Sequence, residues 1–354
     1  MQKNIRNYLT LLASLIGCLV YGLVHAQDFE AAEIIESSVS KNFYESFWPS
    51  RIDSGVVELV FMVDKMGQPI EIEVLRSSQP FFDSVAIKTV ASYQFKPARL
   101  NANFVDSRQV ARVVFDHSKI ANISGFVKPM DAPEGYMSLY NRMRKELNKE
   151  NPSQRKAMQA LNKIHRLRNK TFFTAVHTQL ASYYLAEKFG RKEQQLEPLL
   201  KVMMFEDVEW GGKRALDDEV KKTIQFSILK LMLDLGYNAE ALEKYNQFVA
   251  STPEISDTFS AYMQKIKQIQ ESDSVLERRV TLTRNGREFL SLLKKSFVVE
   301  PITGRIDNFL IRCERRFARF EYQAESQYDI PAAWGDCEMQ LNGEPEALVS
   351  VLQQ

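Results

Sequence analysis

The sequence predicts an α+β chain built from several modules, and three observations carry that prediction. Two runs rich in β-branched and aromatic residues follow Gly55 and are separated by a tight turn, and a helix-spaced run comes after them. Helical periodicity with few β-branched runs then extends over 137–272, and strand-like runs punctuated by glycine return over 278–354. A length of 354 residues exceeds one ordinary domain. The 45% apolar and 26% charged content is enough to build buried cores, which excludes wholesale disorder. Lys+Arg total 46 against 45 Asp+Glu, a balance that offers no sign of a nucleic-acid binder. Four histidines and three cysteines leave little material for a metal cluster or a redox centre.

The first element is an export signal. Lys3 and Arg6 precede an apolar run from Tyr8 to Val24, and Val24-His25-Ala26 puts small or apolar residues where a signal peptidase reads. Residues 1–26 are therefore expected to be a signal peptide and residues 27–47 a short leader. Two other readings stay open. Leu15-Ile16-Gly17-Cys18 has the form of a lipobox, which would make Cys18 a lipidated N-terminus. A run of about 17 apolar residues also lies at the short limit for a retained membrane anchor. All three carry the rest of the chain out of the cytoplasm. Removing 1–26 takes away Lys3, Arg6 and Cys18, leaving one more acidic than basic residue and an even pair, Cys313 and Cys337. In an oxidising compartment a disulfide between them is expected. Closing that loop would contribute about 3 kcal/mol in the chain-entropy view.

Next comes a small mixed unit. Val56-Val57-Glu58-Leu59-Val60-Phe61-Met62-Val63 reads as a strand stopped by Asp64-Lys65-Met66-Gly67, and Ile70, Ile72 and Val74 alternate with Glu71 and Glu73 as its hairpin partner. Ser77-Ser78 offers a helix cap, and Phe82, Val85, Ala86, Thr89, Val90 and Tyr93 follow at helical spacing until Pro97 ends the run. Val110 to Phe115 supplies a further strand, so the order is β-β-α-β across 55–116.

These residues resemble the C-terminal domain of the TonB family of energy transducers. The shared features are Gly55-Val56-Val57, Val63-Asp64 with Gly67, Val74 followed by Ser77-Ser78, Asp83 with Ala86, and Phe95-Lys96-Pro97-Ala98. The resemblance covers 48–116, about a fifth of the chain, within a domain expected over 48–118. Trp48-Pro49 stands where the family commonly has Tyr-Pro, and Asn101-Ala102 replaces the usual Asn-Gly turn. The resemblance implies a periplasmic protein whose sheet pairs with a strand of an outer-membrane transporter, of another transport-complex component, or of a second copy. It points to the last strand, Val110, Ala111, Arg112, Val113, Val114 and Phe115, as the edge that would pair. The competing reading takes Arg112 as a charge that guards this edge against pairing.

Other family requirements are missing. Ser14 and His25 are too far apart to share the membrane-helix face that meets a motor complex. No proline lies between Ala26 and Trp48. A spacer of about 20 residues reaches only some 70 Å when fully stretched. An accessory role in transport across the outer membrane is therefore expected, and the alternative is an envelope scaffold or assembly protein that never touches a transporter.

Gly125, Pro129, Pro133 and Gly135 mark 119–136 as a linker. In the helical region 137–272, Leu185 to Phe189 then Gly190 and Leu231 to Leu235 then Gly236 each read as helix, glycine, helix, weakly resembling tetratricopeptide-type repeats. Residues 141–170 hold ten Lys or Arg against Glu146 and Glu150, a solvated face or a contact for an anionic envelope surface. Over 278–354 the runs Arg279–Leu282, Ile306–Cys313, Arg316–Tyr322, Cys337–Leu341 and Ala347–Leu352 read as strands, with a short helix expected over Glu288–Lys295 and Trp334 either packing against the cysteine pair or standing exposed as a binding aromatic. No phosphate-binding glycine loop, zinc-protease helix or nucleophile elbow occurs, and His117, His165 and His177 lack metal-ligand spacing. Neither an enzyme nor a cofactor is expected.

Overall fold

The computed structural model describes residues 29–36, 54–116, 128, 130–167 and 170–354. The signal and lipobox readings, Trp48-Pro49, His117 and most of the expected linker lie outside the described residues. Helices and antiparallel sheets are both abundant, as the α+β reading requires. Among the described residues no helix is long and apolar enough to cross a membrane.

The first unit is organised around one strand. Following β1 (Phe29–Glu30) and β2 (Glu33–Glu36), the chain forms the hairpin of β3 (Gly55–Val63) and β4 (Pro69–Ser77). A 3-10 turn at Pro80–Phe82 leads into α1 (Asp83–Ala91). Three short strands follow, β5 (Gln94–Lys96), β6 (Ala98–Leu100) and β7 (Asn103–Val105), and then β8 (Ser107–Phe115) returns along β3 in unbroken register from Val63↔Ser107 to Gly55↔Phe115. The sheet order is β4-β3-β8. Side chains alternate across a strand, so Val57, Leu59, Phe61 and Val63 of β3 share one face, packing with Val85, Ala86 and Val90 of α1 and with Phe82, Phe95 and Phe115.

The turn chemistry is as the residues dictate. Asp64 Oδ1 accepts the N–H groups of Met66 and Gln68 at 2.8 and 2.9 Å. Gly67 sits at φ +81°, where a Cβ would stand 2.0 Å from the Phe95 carbonyl oxygen, so no other residue fits. Two expectations need correction. Ser78 does not cap α1; its hydroxyl accepts the Val56 N–H at 2.9 Å and ties the end of β4 to β3. The described part of the expected leader is integral to this unit, because β1 pairs with β6 and β2 with β5, satisfying edges that those short strands would otherwise expose.

The middle unit is helical: α2 (Tyr136–Leu147), α3 (Gln154–Arg166), α4 (Phe172–Phe189), α5 (Lys192–Met203), a ribbon of β9 (Glu209–Trp210) and β10 (Lys213–Arg214), then α6 (Asp218–Asp234), α7 (Asn238–Val249) and α8 (Glu254–Glu271). Asp217 caps α6 by accepting the Val220 N–H at 2.8 Å, and Thr171 and Thr174 form a reciprocal cap on α4. Both expected joints fall at glycine, in different conformations. Gly236 is left-handed at φ +73°, whereas Gly190 is extended and close to Ala186, so the two segments are not copies of one backbone.

The last unit is a sandwich of two four-stranded antiparallel sheets, ordered β11-β18-β13-β16 and β12-β17-β14-β15. The strands are β11 (Leu276–Thr281), β12 (Arg287–Leu292), β13 (Ser296–Thr303), β14 (Ile306–Cys313), β15 (Phe317–Glu321), β16 (Gln327–Asp329), β17 (Cys337–Gly343) and β18 (Leu348–Gln353). The helix expected over Glu288–Lys295 is instead strand β12, whose Leu290 and Leu292 alternate into the sandwich core while its backbone pairs with β17. The disulfide joins Cys313 and Cys337, directly opposed on β14 and β17, and half-buried Trp334 packs against the core that holds them.

The β6–β7 turn places Asn101 at φ +49° and Ala102 at φ +66°. A left-handed alanine carries strain that glycine lacks. Ala102→Gly is expected to raise stability by about 0.5–1 kcal/mol, read as a shift of the urea midpoint at unchanged slope.

A candidate strand-docking edge and the charged junction behind it

Two hydrogen bonds define which backbone groups of β8 face outward. Val56 accepts the Ser78 N–H through its carbonyl at 2.9 Å, so even-numbered residues at the start of β3 turn their backbone toward β4 and odd-numbered ones toward β8. Independently, the Arg108 N–H donates away from β3, to the Glu314 carbonyl at 3.3 Å. With a strand period of two, Val110, Arg112 and Val114 then present N–H and C=O groups outward. None of the three has a backbone partner among the described residues. Glu314 of the sandwich unit closes the edge at Arg108, so the open stretch runs from Val110 to Val114. It is flanked by exposed apolar side chains, Val110 at 49% and Val114 at 40%. Ala111 is half-buried, while Val113 and Phe115 belong to the core behind the strand.

Arg112 is engaged by acids of its own chain. Its guanidinium turns inward over the helix-free face of the sheet, donating from Nε to Glu58 at 3.3 Å and from Nη1 to Glu206 at 2.8 Å. Burial opposes the charge on Arg112, but the Glu206 hydrogen bond and the Glu58 charge outweigh it and hold the guanidinium above its ordinary pKa. Glu58 is itself buried on β3; burial favours its neutral form, yet Arg76, Lys244 and Arg112 together keep the carboxyl below its usual range. The same face carries Val56, Val60 and Met62, all fully buried. β3 is therefore covered on both sides, by α1 on one and by the other two units on the other.

The covering contacts are largely ionic. From the helical unit, Glu197 meets Arg76 at 3.5 Å and Glu243 meets Arg108 at 3.5 Å, while Val56 enters the helical core. From the sandwich, Arg287 binds Glu73 at 2.6 Å and Arg319 binds both carboxylate oxygens of Glu71 at 3.2 Å. Glu71 and Glu73 are thus anchors between units rather than a solvated pair. The helical and sandwich units also meet directly, where Arg278 pairs with Glu240 and the Ser291 N–H donates to Glu240 at 2.9 Å. A cavity of about 110 Å³ remains at the centre, lined by Glu58, Arg76, Arg108, Lys244 and Glu338 among others. Burial pushes Glu338 up, and it pushes Lys244 down despite nearby Glu58.

The other sequence candidates lie apart from this edge. The disulfide is internal to the sandwich. His177 is stacked on Phe173 and donates from Nδ1 to the Phe173 carbonyl at 2.8 Å; burial lowers its pKa, as it does that of His165. The described residues contain no cluster of three metal-ligating side chains. The basic segment forms the α2–α3 hairpin. The junction residues escaped sequence reading, although one signal existed: a nine-residue strand apolar at both parities, with Glu58 as its single charge, marks a strand buried on both faces.

Among known families, residues 51–116 match the one described as Gram-negative bacterial TonB protein C-terminal. No curated protein matches the chain. The matched span starts just before β3 and ends one residue past β8, so the open edge is the last strand of the matched region.

Two outcomes follow for the junction. Arg112→Met leaves Glu58 with Arg76 and Glu206 with Lys221 but removes the link between them, and is expected to cost about 2–3 kcal/mol, part of it recovered when Glu206→Gln is added, as a double-mutant cycle in urea would show. Glu288 on β12 is pushed by burial to about 7, above its unfolded value of 4.5, against the pull of Arg278. A raised carboxyl pKa favours the folded state at low pH, and that contribution fades as pH rises from the unfolded to the folded value. Glu288→Gln should therefore gain about 1 kcal/mol over the parent near pH 8, the full linkage value being reduced by partial solvation, and show no gain near pH 4.5.

Proposed function

We propose that this is a TonB-related envelope protein of the periplasm that docks a partner strand on β8, as an accessory to transport across the outer membrane. The observation that carries the reading is the open stretch Val110–Val114, three consecutive outward backbone pairs on the last strand of the region matched to the TonB C-terminal family. Strand addition satisfies those groups, and the exposed Val110 and Val114 side chains supply apolar contact on the same face. The chemistry required is pairing and desolvation alone, so no catalytic residue, metal or cofactor enters the mechanism. The partner is a strand of a transporter, of another transport component, or of a second copy.

The covered sheet supports an accessory role rather than a free-standing transducer domain. Both faces of β3 are committed to the rest of the chain, and β4, on the opposite side, is engaged by Arg287 and Arg319. The scaffold reading draws on the same contacts: a domain so enclosed can serve assembly of the chain itself, with Glu314 on the edge as its cap.

Proline substitution separates the readings. The Val114 N–H points outward, so Val114→Pro removes a docking donor without removing a bond to β3, whereas Val113→Pro breaks the ladder. Docking predicts that a photo-crosslinker at Val110 captures a transporter or transport-complex subunit, or the chain itself, and that Val114→Pro lowers capture at least about tenfold while stability changes by only about 1 kcal/mol. Capture that persists unchanged in Val114→Pro, or that yields only cell-wall proteins, would sink the docking reading in favour of the scaffold.

A further inference from the structure

We propose that the outward face of the α2–α3 hairpin docks the protein on an anionic phospholipid surface. This inference is independent of the β8 edge. On α3, Ala157, Ala160, Leu161 and Ile164 are buried, which turns Arg155, Lys156, Lys163 and Arg166 to solvent. On α2, Tyr136, Met143 and Glu146 are buried and Arg142, Arg144 and Lys145 are exposed. None of these seven cations forms an ion pair among the described residues, although ion pairs are frequent across the three-unit junction. Within the hairpin Lys149 is paired with Glu146 at 2.5 Å, whose carboxylate also feels the Lys156 charge, and Glu150 is the one exposed acid among its described residues.

Three features favour lipid over an acidic protein. The cations lie on two adjacent antiparallel helices and so form a broad layer rather than a groove shaped to one chain. Apolar, unbranched Met137 and Met158 stand 43% and 38% exposed among them, suited to headgroup depth. Beside the layer, between α2 and α4, opens a cleft of about 550 Å³ lined by Tyr140, Tyr184, Arg144 and Lys188, with one acid, Glu187, which accepts the Tyr183 hydroxyl at 2.9 Å. Tyrosines with cations are the side chains that settle at a membrane interface, with the ring in the apolar boundary and the polar end wet. The whole chain is nearly neutral, at +1, so attraction must come from this patch and must orient the molecule. It decays within a Debye length and is therefore salt-sensitive.

The test uses the full chain as the cell exports it. Flotation is measured with vesicles of phosphatidylcholine and of phosphatidylcholine with phosphatidylglycerol, at low and high salt. Binding should rise with phosphatidylglycerol and fall with salt, and the triple variant Arg155→Gln, Lys163→Gln, Arg166→Gln should lower the partition coefficient about 100-fold on anionic vesicles. Unchanged thermal melting of that variant excludes misfolding, since all three side chains are solvent-exposed. Trypsin cleavage at the hairpin is read in parallel, so that a chain already held by its N-terminal apolar segment still reports: protection on anionic but not neutral vesicles supports the proposal. Equal cleavage on both, equal binding by the triple variant, or retention by a soluble anionic polymer with none by vesicles would overturn it.

Discussion

Glu58 is a buried carboxylate in the middle of a strand covered on both faces, and much of the architecture can be traced to how that charge is met. Arg76 and Arg112, on the strands flanking β3, each donate to it, and each then reaches an acid of the helical unit, Glu197 and Glu206 respectively. A lone buried carboxylate would cost several kcal/mol. Here the charge is shared along a chain of alternating sign that runs across the sheet and into the neighbouring helices. Helix placement is thereby coupled to sheet register, because a one-residue slip of β8 would carry Arg112 to the opposite face.

Sandwich docking follows the same principle with a different balance. Arg312, fully buried on β14, donates to the Glu71 carbonyl at 3.4 Å and stands in register opposite Glu338 on β17. Burial pushes the Arg312 pKa down and the Glu338 pKa up, and Arg312 Nε and Nη1 and Glu338 Oε1 have no hydrogen-bond partner among the described residues. This interface therefore combines exposed pairs at its rim, Arg287 with Glu73 and Arg319 with Glu71, with imperfectly satisfied charges at its centre. Rim pairs contribute little each. Glu338 also lines the small polar cavity at the junction.

A sheet enclosed in this way has little free backbone. Both faces of β3 are covered, Glu314 takes the start of the β8 edge, and β1 and β2 occupy edges of the short strands. On β8 the outward backbone groups of Val110, Arg112 and Val114 have no backbone partner among the described residues, and the cationic layer of the α2–α3 hairpin faces solvent. Function and packing are linked here: the contacts that hold the three units also restrict where another molecule can add to the chain.

Local chemistry carried a large part of the fold into the sequence. The Asp64–Gly67 turn, the β3–β4 hairpin, the spacing of Val85, Ala86, Thr89 and Val90 and the pairing of the last two cysteines are decided by residues close together or by chain entropy, so their order alone reveals them. The motif order around β3 likewise exposed the family of residues 51–116. What required the tertiary structure were choices between equivalent local options. β12 carries a pattern compatible with a short helix until β17 pairs with it. Ser78 has a hydroxyl able to cap a helix but is held by Val56. Arg112 and Glu71 look like surface charges until partners more than 90 residues away arrive. A sequence specifies the alphabet of turns, strands and helices through short-range sterics and hydrogen bonding. The partner of a long charged side chain, and therefore which edge stays open, depends on contacts between distant segments that only the assembled fold brings within range.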